Sequence, residues 1–509
     1  MLTSKVQVLP LAIVVGLFAI FIISGLRHRT LKQSEYGLSG VYTGRVGIGA
    51  AIASNWMSAA SFLGLAGMFY LKGYFAMAFV VGWTGGYVLL LVLMATQIRR
   101  FGKFSASDFV GFRYESEAAR TVAALILIVI TVIYSVAQFR GIALLVSWLF
   151  GIGYLPSVVV GALMFAMFVV VSGALGATRN QQLQYFVLII AFILPLMFLT
   201  RKLGYFWILP QFGYGAAIEE LHKQFGFAWS EPFHNTSLFE WLALCFSLMF
   251  GTAGLPHVLA HFYAVPGIRD ARWGVVWGLF FIALIYWSAP AYGVLARLFE
   301  ARNNIPFNAG DAHAADMVVL TAATLGGLPR WVIGLLAAGG ISAAFSASAA
   351  LLLSGAASFS YDIYPRLIRK NASEGEKVFA AKGVFLLLAC IVTLLTLNPL
   401  GMIAEIAAFA FALAGNTIFP AFLLGIWWPK ANAPGVISGM MVGLLITFTP
   451  LFMGGVAPML VQLFPVTSSA FIGAPLVMIV MIAVSRMTAP PSKEMRRFLA
   501  HDVHDCPDN

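Results

Sequence analysis

Charge is scarce in this chain. Of its 509 residues, 10% are Asp, Glu, Lys or Arg, while 61% are hydrophobic and the mean hydropathy is +0.90. A soluble globule of this length needs far more polar surface, so the composition excludes one and defines a polytopic membrane protein. Cysteine is nearly absent too. Cys245, Cys390 and Cys506 show no C-x-x-C spacing, which excludes a disulfide framework and a thiolate metal site. No nucleophile–base pair or metal-ligand pattern stands out, so the chain does not read as an enzyme. The glycines at 44, 47 and 49 follow no strand and have no downstream acidic partner, so they make no nucleotide loop. His501 and His504 fall in a solvated tail rather than a metal pair. The longest stretches between apolar runs, about 201–236 and 298–330, are loop-sized, leaving 1–509 as one membrane domain.

What the sequence does have is long apolar runs. Those of about 20 residues, enough to cross a bilayer, centre on 8–26, 47–71, 74–97, 121–149, 155–175, 183–200, 237–259, 274–297, 331–360, 379–397, 402–426, 434–453 and 466–485. The first follows only Lys5, lacks a small-residue cleavage pattern and is followed by Arg27-His28-Arg29, so it reads as a retained helix. Thirteen spans put the termini on opposite sides. The segments 27–45, 98–120, 177–182, 262–273, 364–382, 427–433 and 486–509 share one face and hold 22 of the 31 Lys and Arg. The turns 150–154, 397–401 and 454–465 on the other face hold none. The positive-inside rule makes the basic face cytoplasmic, with the N-terminus outside and the C-terminus inside an inner, cytoplasmic membrane. The net charge of +11 has the same origin and points to anionic headgroups of a lipid bilayer, not to nucleic acid.

Two of these spans are interrupted. Asn55-Trp56-Met57-Ser58-Ala59-Ala60-Ser61-Phe62-Leu63-Gly64 sets small and polar residues inside the second span, and Phe250-Gly251-Thr252-Ala253-Gly254-Leu255-Pro256-His257 does so in the seventh. Backbone groups freed by a break cost several kcal/mol each in hydrocarbon, so breaks are tolerated only where they line a cavity or bind something. Broken helices at matching positions of two halves point to an inverted-repeat secondary transporter with its site between the breaks. Spans two to six (45–200) then form the first repeat and spans seven to eleven (237–426) the second. Residues 1–44 add a helix and a loop, and 427–509 add two helices and a tail.

The runs Asn55 to Gly64, Gly82-Trp83, Ala137-Gln138, Ser247-Leu-Met-Phe-Gly-Thr-Ala-Gly-Leu-Pro-His257 with Arg269-Asp-Ala-Arg272, and Ser360-Tyr-Asp-Ile-Tyr364 resemble the sodium:solute symporter family, in particular its cation/acetate branch. The resemblance runs from about 30 to 430. It implies an all-α fold of the leucine-transporter-like five-plus-five kind, with spans two and seven discontinuous, and symport of a small solute with Na⁺. It also implies a cation site between the second and ninth spans, with carbonyls at Ser54, Met57 and Ala343 and a hydroxyl at Ser346. A second family hydroxyl falls on Ala347, with Ser342 and Ser348 nearby, and a position acidic in many members falls on Gln182. These departures leave H⁺ open as the coupling ion.

Arg140 is the sharpest single residue, because an arginine near a helix centre costs about 2.5–3.5 kcal/mol on insertion scales and must face a cavity or a partner. A guanidinium recognises a carboxylate bidentately, which makes Arg140 the natural anchor for a small organic anion such as acetate. The alternative is a structural ion pair, with Glu405 as a conceivable partner. Ser58, Ser61, Gln138, Thr252, His257 and Asn416 are further candidates for the pocket, and Trp56 and Trp83 for its walls. The resulting expectation is a symporter of a small monocarboxylate. An amino-acid symporter, a channel or a membrane-embedded sensor are the rivals, the last needing a signalling domain that the short segment after 485 cannot hold.

Overall fold

The computed structural model describes residues 5–27, 44–101, 105–226, 231, 233, 236–259, 268–307, 311–399, 401–453 and 465–504. Every regular element among them is helical, as a bilayer requires of a chain that cannot leave backbone groups unpaired. Eleven helices are long and apolar enough to span, one of them Ala60–Leu93. Gly73, at φ 54°, divides that run into Leu65–Lys72 and Met77–Leu93. The first belongs to the second span, which begins at Gly44–Trp56; the other is the third span. With the shorter apolar helix Leu238–Gly254 as the seventh, the described residues carry thirteen crossings at the expected places.

The remaining spans are Val8–Arg27 (first), Glu117–Phe150 (fourth), Ile268–Arg302 (eighth), Arg330–Ala357 (ninth), Glu374–Thr396 (tenth), Ile403–Trp427 (eleventh), Ala433–Met453 (twelfth) and Ala470–Met487 (thirteenth). Their ends follow local chemistry. Ser116 caps the fourth through Ala119 N–H, and Ser237 with Glu240 and Ser373 with Glu376 form capping boxes for the seventh and tenth.

The link expected at 177–182 between the fifth and sixth spans is not a loop. Tyr154–Lys202 is one helical run of 49 residues, which at 1.5 Å per residue is about 73 Å, over twice a bilayer core. It supplies both spans, 154–172 and 180–202. The 201–236 stretch likewise contains a helix, Pro210–Phe225, and 298–330 contains the short helices Ala312–Asp316 and Val318–Leu325.

Packing reveals the repeat. The second span lies on the eighth, where a Cβ on Gly49 would come 2.4 Å from Trp277 Cβ, and the seventh lies on the third, where one on Gly86 would come 2.3 Å from Thr252 Cβ. Exchanging two for seven and three for eight turns each contact into the other. The ninth span packs on the sixth, with Gly339 against Ala191, and the fourth on the eleventh, with the Tyr134 and Phe411 ring centroids 5.5 Å apart. Exchanging four for nine and six for eleven again maps one onto the other. Small residues let these backbones approach closely without a hydrophobic driving force between helices. The ninth and eleventh are the most enclosed, each 89% buried over its central window, so the core sits where the two repeats meet.

Candidate functional site

Both expected breaks are present. In the second span the regular helix stops at Trp56 and resumes as a wide turn, Ala60–Gly64. Ala59 N–H, which a continuous helix would spend on Asn55, donates instead to Gln138 Oε1 at 2.8 Å on the fourth span. In the seventh span Leu255 is extended (φ −73°, ψ 131°), and Pro256 has no N–H to continue the ladder. The helix resumes over 256–259.

Ser54 and Ser346 meet across the second and ninth spans. Their Oγ atoms are 2.9 Å apart, and Ser346 Oγ donates to Ser54 O at 3.1 Å. A carbonyl and hydroxyls thus converge as oxygen ligands that suit a small hard cation. Met57, Ala343 and Ala347 are fully buried on the same two spans. Ser342, one turn from Ser346 on the same helix face, has a buried Oγ with no hydrogen-bond partner among the described residues, as does Ser348. Gln182 donates to Gly47 O at 3.0 Å and so holds the start of the second span.

Next to the break, Trp56 packs against Tyr87 (ring centroids 4.8 Å apart), Phe411 (5.6 Å) and Trp83 (6.5 Å). Tyr134 OH donates to Ser58 Oγ at 3.2 Å, and Ser61 Oγ lies 3.2 Å from Tyr286 OH. His257 stands beside Tyr134, with centroids 5.7 Å apart. Most of the predicted polar residues therefore gather in one aromatic cage between the two breaks. Two do not. Thr252 Oγ1 bonds back to Leu248 O (2.8 Å) at the contact with Gly86, and Asn416 Nδ2 turns to Thr447 (2.8 Å) and Ser469 (3.1 Å), tying on the twelfth span and the start of the thirteenth. Tyr87, Tyr286 and Phe411 were not legible as site residues, since an aromatic ring in an apolar span carries no distinguishing signal.

Arg140 is 7% exposed, and its Nε donates to Asp316 Oδ2 at 2.7 Å. The partner is Asp316 and not Glu405, whose carboxylate accepts Met402 N–H (3.2 Å) in the first turn of the eleventh span. Asp316 also accepts Ile403 N–H, at 3.2 Å through Oδ1. Burial pushes the Asp316 carboxyl up to about 6, against the pull of Arg140. The bridge uses one edge only. Among the described residues no hydrogen-bond acceptor faces Arg140 Nη1 or Nη2. Gln138 Nε2 and Trp83 Nε1, both buried, also lack an acceptor among them. The Gln138 amide is oriented by its bond from Ala59, so this atom is the donor.

A cavity of about 1130 Å³ opens toward the face opposite the basic one, lined by Lys72, Phe79, Arg297, Glu405 and Phe409 among others. On the basic face a charge network ties the helix ends together. Asp362 accepts Ser107 Oγ (2.6 Å) and Ser105 Oγ (3.1 Å), Arg120 Nη1 bridges Asp108 (2.5 Å) and Asp362 (3.8 Å), and Arg366 pairs with Glu117.

A broken-helix pair around a polar, aromatic-walled site is the architecture of a secondary transporter. Residues 36–443 match the sodium:solute symporter family, and the chain belongs to it. An uncharacterized symporter of Cupriavidus necator is 27% identical, covering 84% of this chain and 82% of its own, and one of Bacillus subtilis is 29% identical, with 82% and 80% covered. Among solved structures, a Na⁺-coupled sialic acid symporter in a substrate-bound outward-open state superposes with a TM-score of 0.77 at 17% identity, covering 95% of this chain and 99% of that one. The fold is thus the leucine-transporter-like five-plus-five repeat.

Proposed function

We propose that this symporter imports a small monocarboxylate, acetate-like in size, with Na⁺ bound at Ser54, Met57, Ala343 and Ser346. The observation that carries the substrate class is the half-satisfied Arg140. The Asp316 bond uses Nε alone, and a carboxylate is the ligand that engages Nη1 and Nη2 at once. In the cage, Gln138 Nε2 and Trp83 Nε1 are buried donors without an acceptor among the described residues, which favours an acceptor-only anion over a zwitterionic amino acid. The small cage residues Ser58 and Ser61 favour a short chain. His257 completes the wall beside Tyr134, and Thr252 and Asn416 support it from behind.

In this reading 45–200 and 237–426 are the two repeats, the basic face is cytoplasmic, and the cavity opens outside. The test is uptake of labelled acetate, propionate, pyruvate and lactate into proteoliposomes under imposed Na⁺ or proton gradients, with labelled amino acids as controls. Accumulation of an amino acid and of no monocarboxylate would overturn the substrate class.

A further inference from the structure

Asp316 ends the short helix Ala312–Asp316 and is fully buried. Gly67 of the second span lies against it, where a Cβ would come 2.5 Å from Ala315 O, and presents backbone only. The ionisable groups around the carboxylate are Arg140 on the fourth span, Glu405 on the eleventh, Tyr154 at the start of the fifth, and His313 and Asp311 on its own segment. The Arg140–Asp316 pair is neutral as it stands. A carboxylate docked on the Nη1–Nη2 edge places a second anion on the same cation, with Glu405 adding a third negative charge nearby. An uncompensated charge cannot persist in such a buried place, and the inexpensive remedy is to bind a proton.

We propose that Asp316 is a proton-binding site linked to the substrate: when an anion seats on Arg140, Asp316 takes one proton from solution onto a carboxylate oxygen, and gives it up when the anion leaves. The inference rests on the monocarboxylate reading. Only an O–H bond forms, and Arg140, Asp316 and the anion together carry no net charge in either state. Asp316 suits this role because burial already holds its carboxyl well above the ordinary aspartate range, and a second anion at the same guanidinium raises it further. By linkage, affinity for the anion rises as pH falls, by at most about tenfold per unit. The gain starts where the occupied site titrates, above pH 6, and ends near pH 6, where the empty site is already protonated.

The test is calorimetry of acetate and pyruvate binding to the purified protein in saturating Na⁺, between pH 6 and 8, in buffers of different ionisation enthalpy. Both probes stay ionised over this range. The expected result near pH 7 is uptake approaching one proton per anion bound, lost in Asp316→Asn, which binds with pH-independent affinity. Binding without proton uptake in the wild type, or unchanged uptake in Asp316→Asn, overturns the proposal. Should that variant not fold, Asp316→Glu tests the same assignment, since it must move the pH at which affinity levels off; no movement overturns it. Absence of any carboxylate binding overturns the substrate reading and this linkage with it.

Discussion

Arg140 and Asp316 are joined by a single 2.7 Å hydrogen bond across 176 residues of chain. The bond ties the fourth span to the helix that precedes the ninth, and through Ile403 N–H to the start of the eleventh. It holds the guanidinium through Nε and leaves Nη1 and Nη2 without an acceptor among the described residues.

Arg140→Gln is expected to abolish carboxylate uptake, and Arg140→Lys to retain part of it, because an ammonium lacks the two-pronged geometry. Arg140→Gln also strands Asp316, a loss on the order of 3–5 kcal/mol. Adding Asp316→Asn is expected to restore thermal stability without restoring uptake. Wild-type uptake by Arg140→Gln would show that the residue only holds the helices together.

For the cation, Ser346→Ala removes the hydroxyl 3.1 Å from Ser54 O and is expected to raise the Na⁺ concentration for half-maximal uptake roughly tenfold, the scale of one net polar interaction. Ala347→Ser restores a ligand and is expected to lower it. Uptake that follows the proton gradient alone, with neither substitution altering its Na⁺ dependence, refutes the assignment.

Gln138→Leu leaves Ala59 N–H buried without its acceptor, a penalty of about 1–3 kcal/mol. The second span then loses the bond that holds its break open. A lowered melting temperature together with impaired uptake is the expected outcome, and unchanged values of both would place the break's support elsewhere.

Asp316 also leaves a signature in stability. Its folded-state pKa of about 6 lies above the model-compound 3.8, so its contribution is fully present below the lower value and is lost as pH rises through the upper one. Wild type is expected to lose stability relative to Asp316→Asn between pH 4 and pH 6, read from melting curves. A gap that is constant or widens in favour of wild type over that range contradicts the assignment.

Orientation is tested by labelling. With Cys506 replaced by Ser, Ala500→Cys is expected to react with a membrane-impermeant maleimide only after the cell is opened. Reaction in intact cells would invert the topology.

Much of the fold was legible because each of its determinants is local. Apolar length marks the thirteen spans, and small residues beside Pro256 and around Ser58 mark the breaks. The helical link through 173–182 was hidden because a helix that turns between two spans has the composition of a short loop. Ser54, Ser346 and Gln138 were singled out by residue type and family pattern, and the chain brings Ser54 to Ser346 and Gln138 to the break. Asp316 was not, since a lone aspartate between two spans reads as solvated until the chain brings it to Arg140. That Asn416 Nδ2 turns to Thr447 and Ser469 is a tertiary contact that a single sequence does not disclose.

The network around Asp362 has a kinetic meaning. Three carboxylates, Asp108, Glu117 and Asp362, share two guanidiniums, Arg120 and Arg366, so an opening on that side that separates these segments is resisted by every pair. Once water enters, dissolved ions screen these attractions within about 8–10 Å, so the closed state loses more than the open one. Turnover is therefore expected to depend in part on the ionic strength at the basic face. Raising an inert salt inside vesicles is expected to quicken release while leaving the affinity measured from the opposite side unaltered, and an equal response to salt on either side would locate the slow step elsewhere.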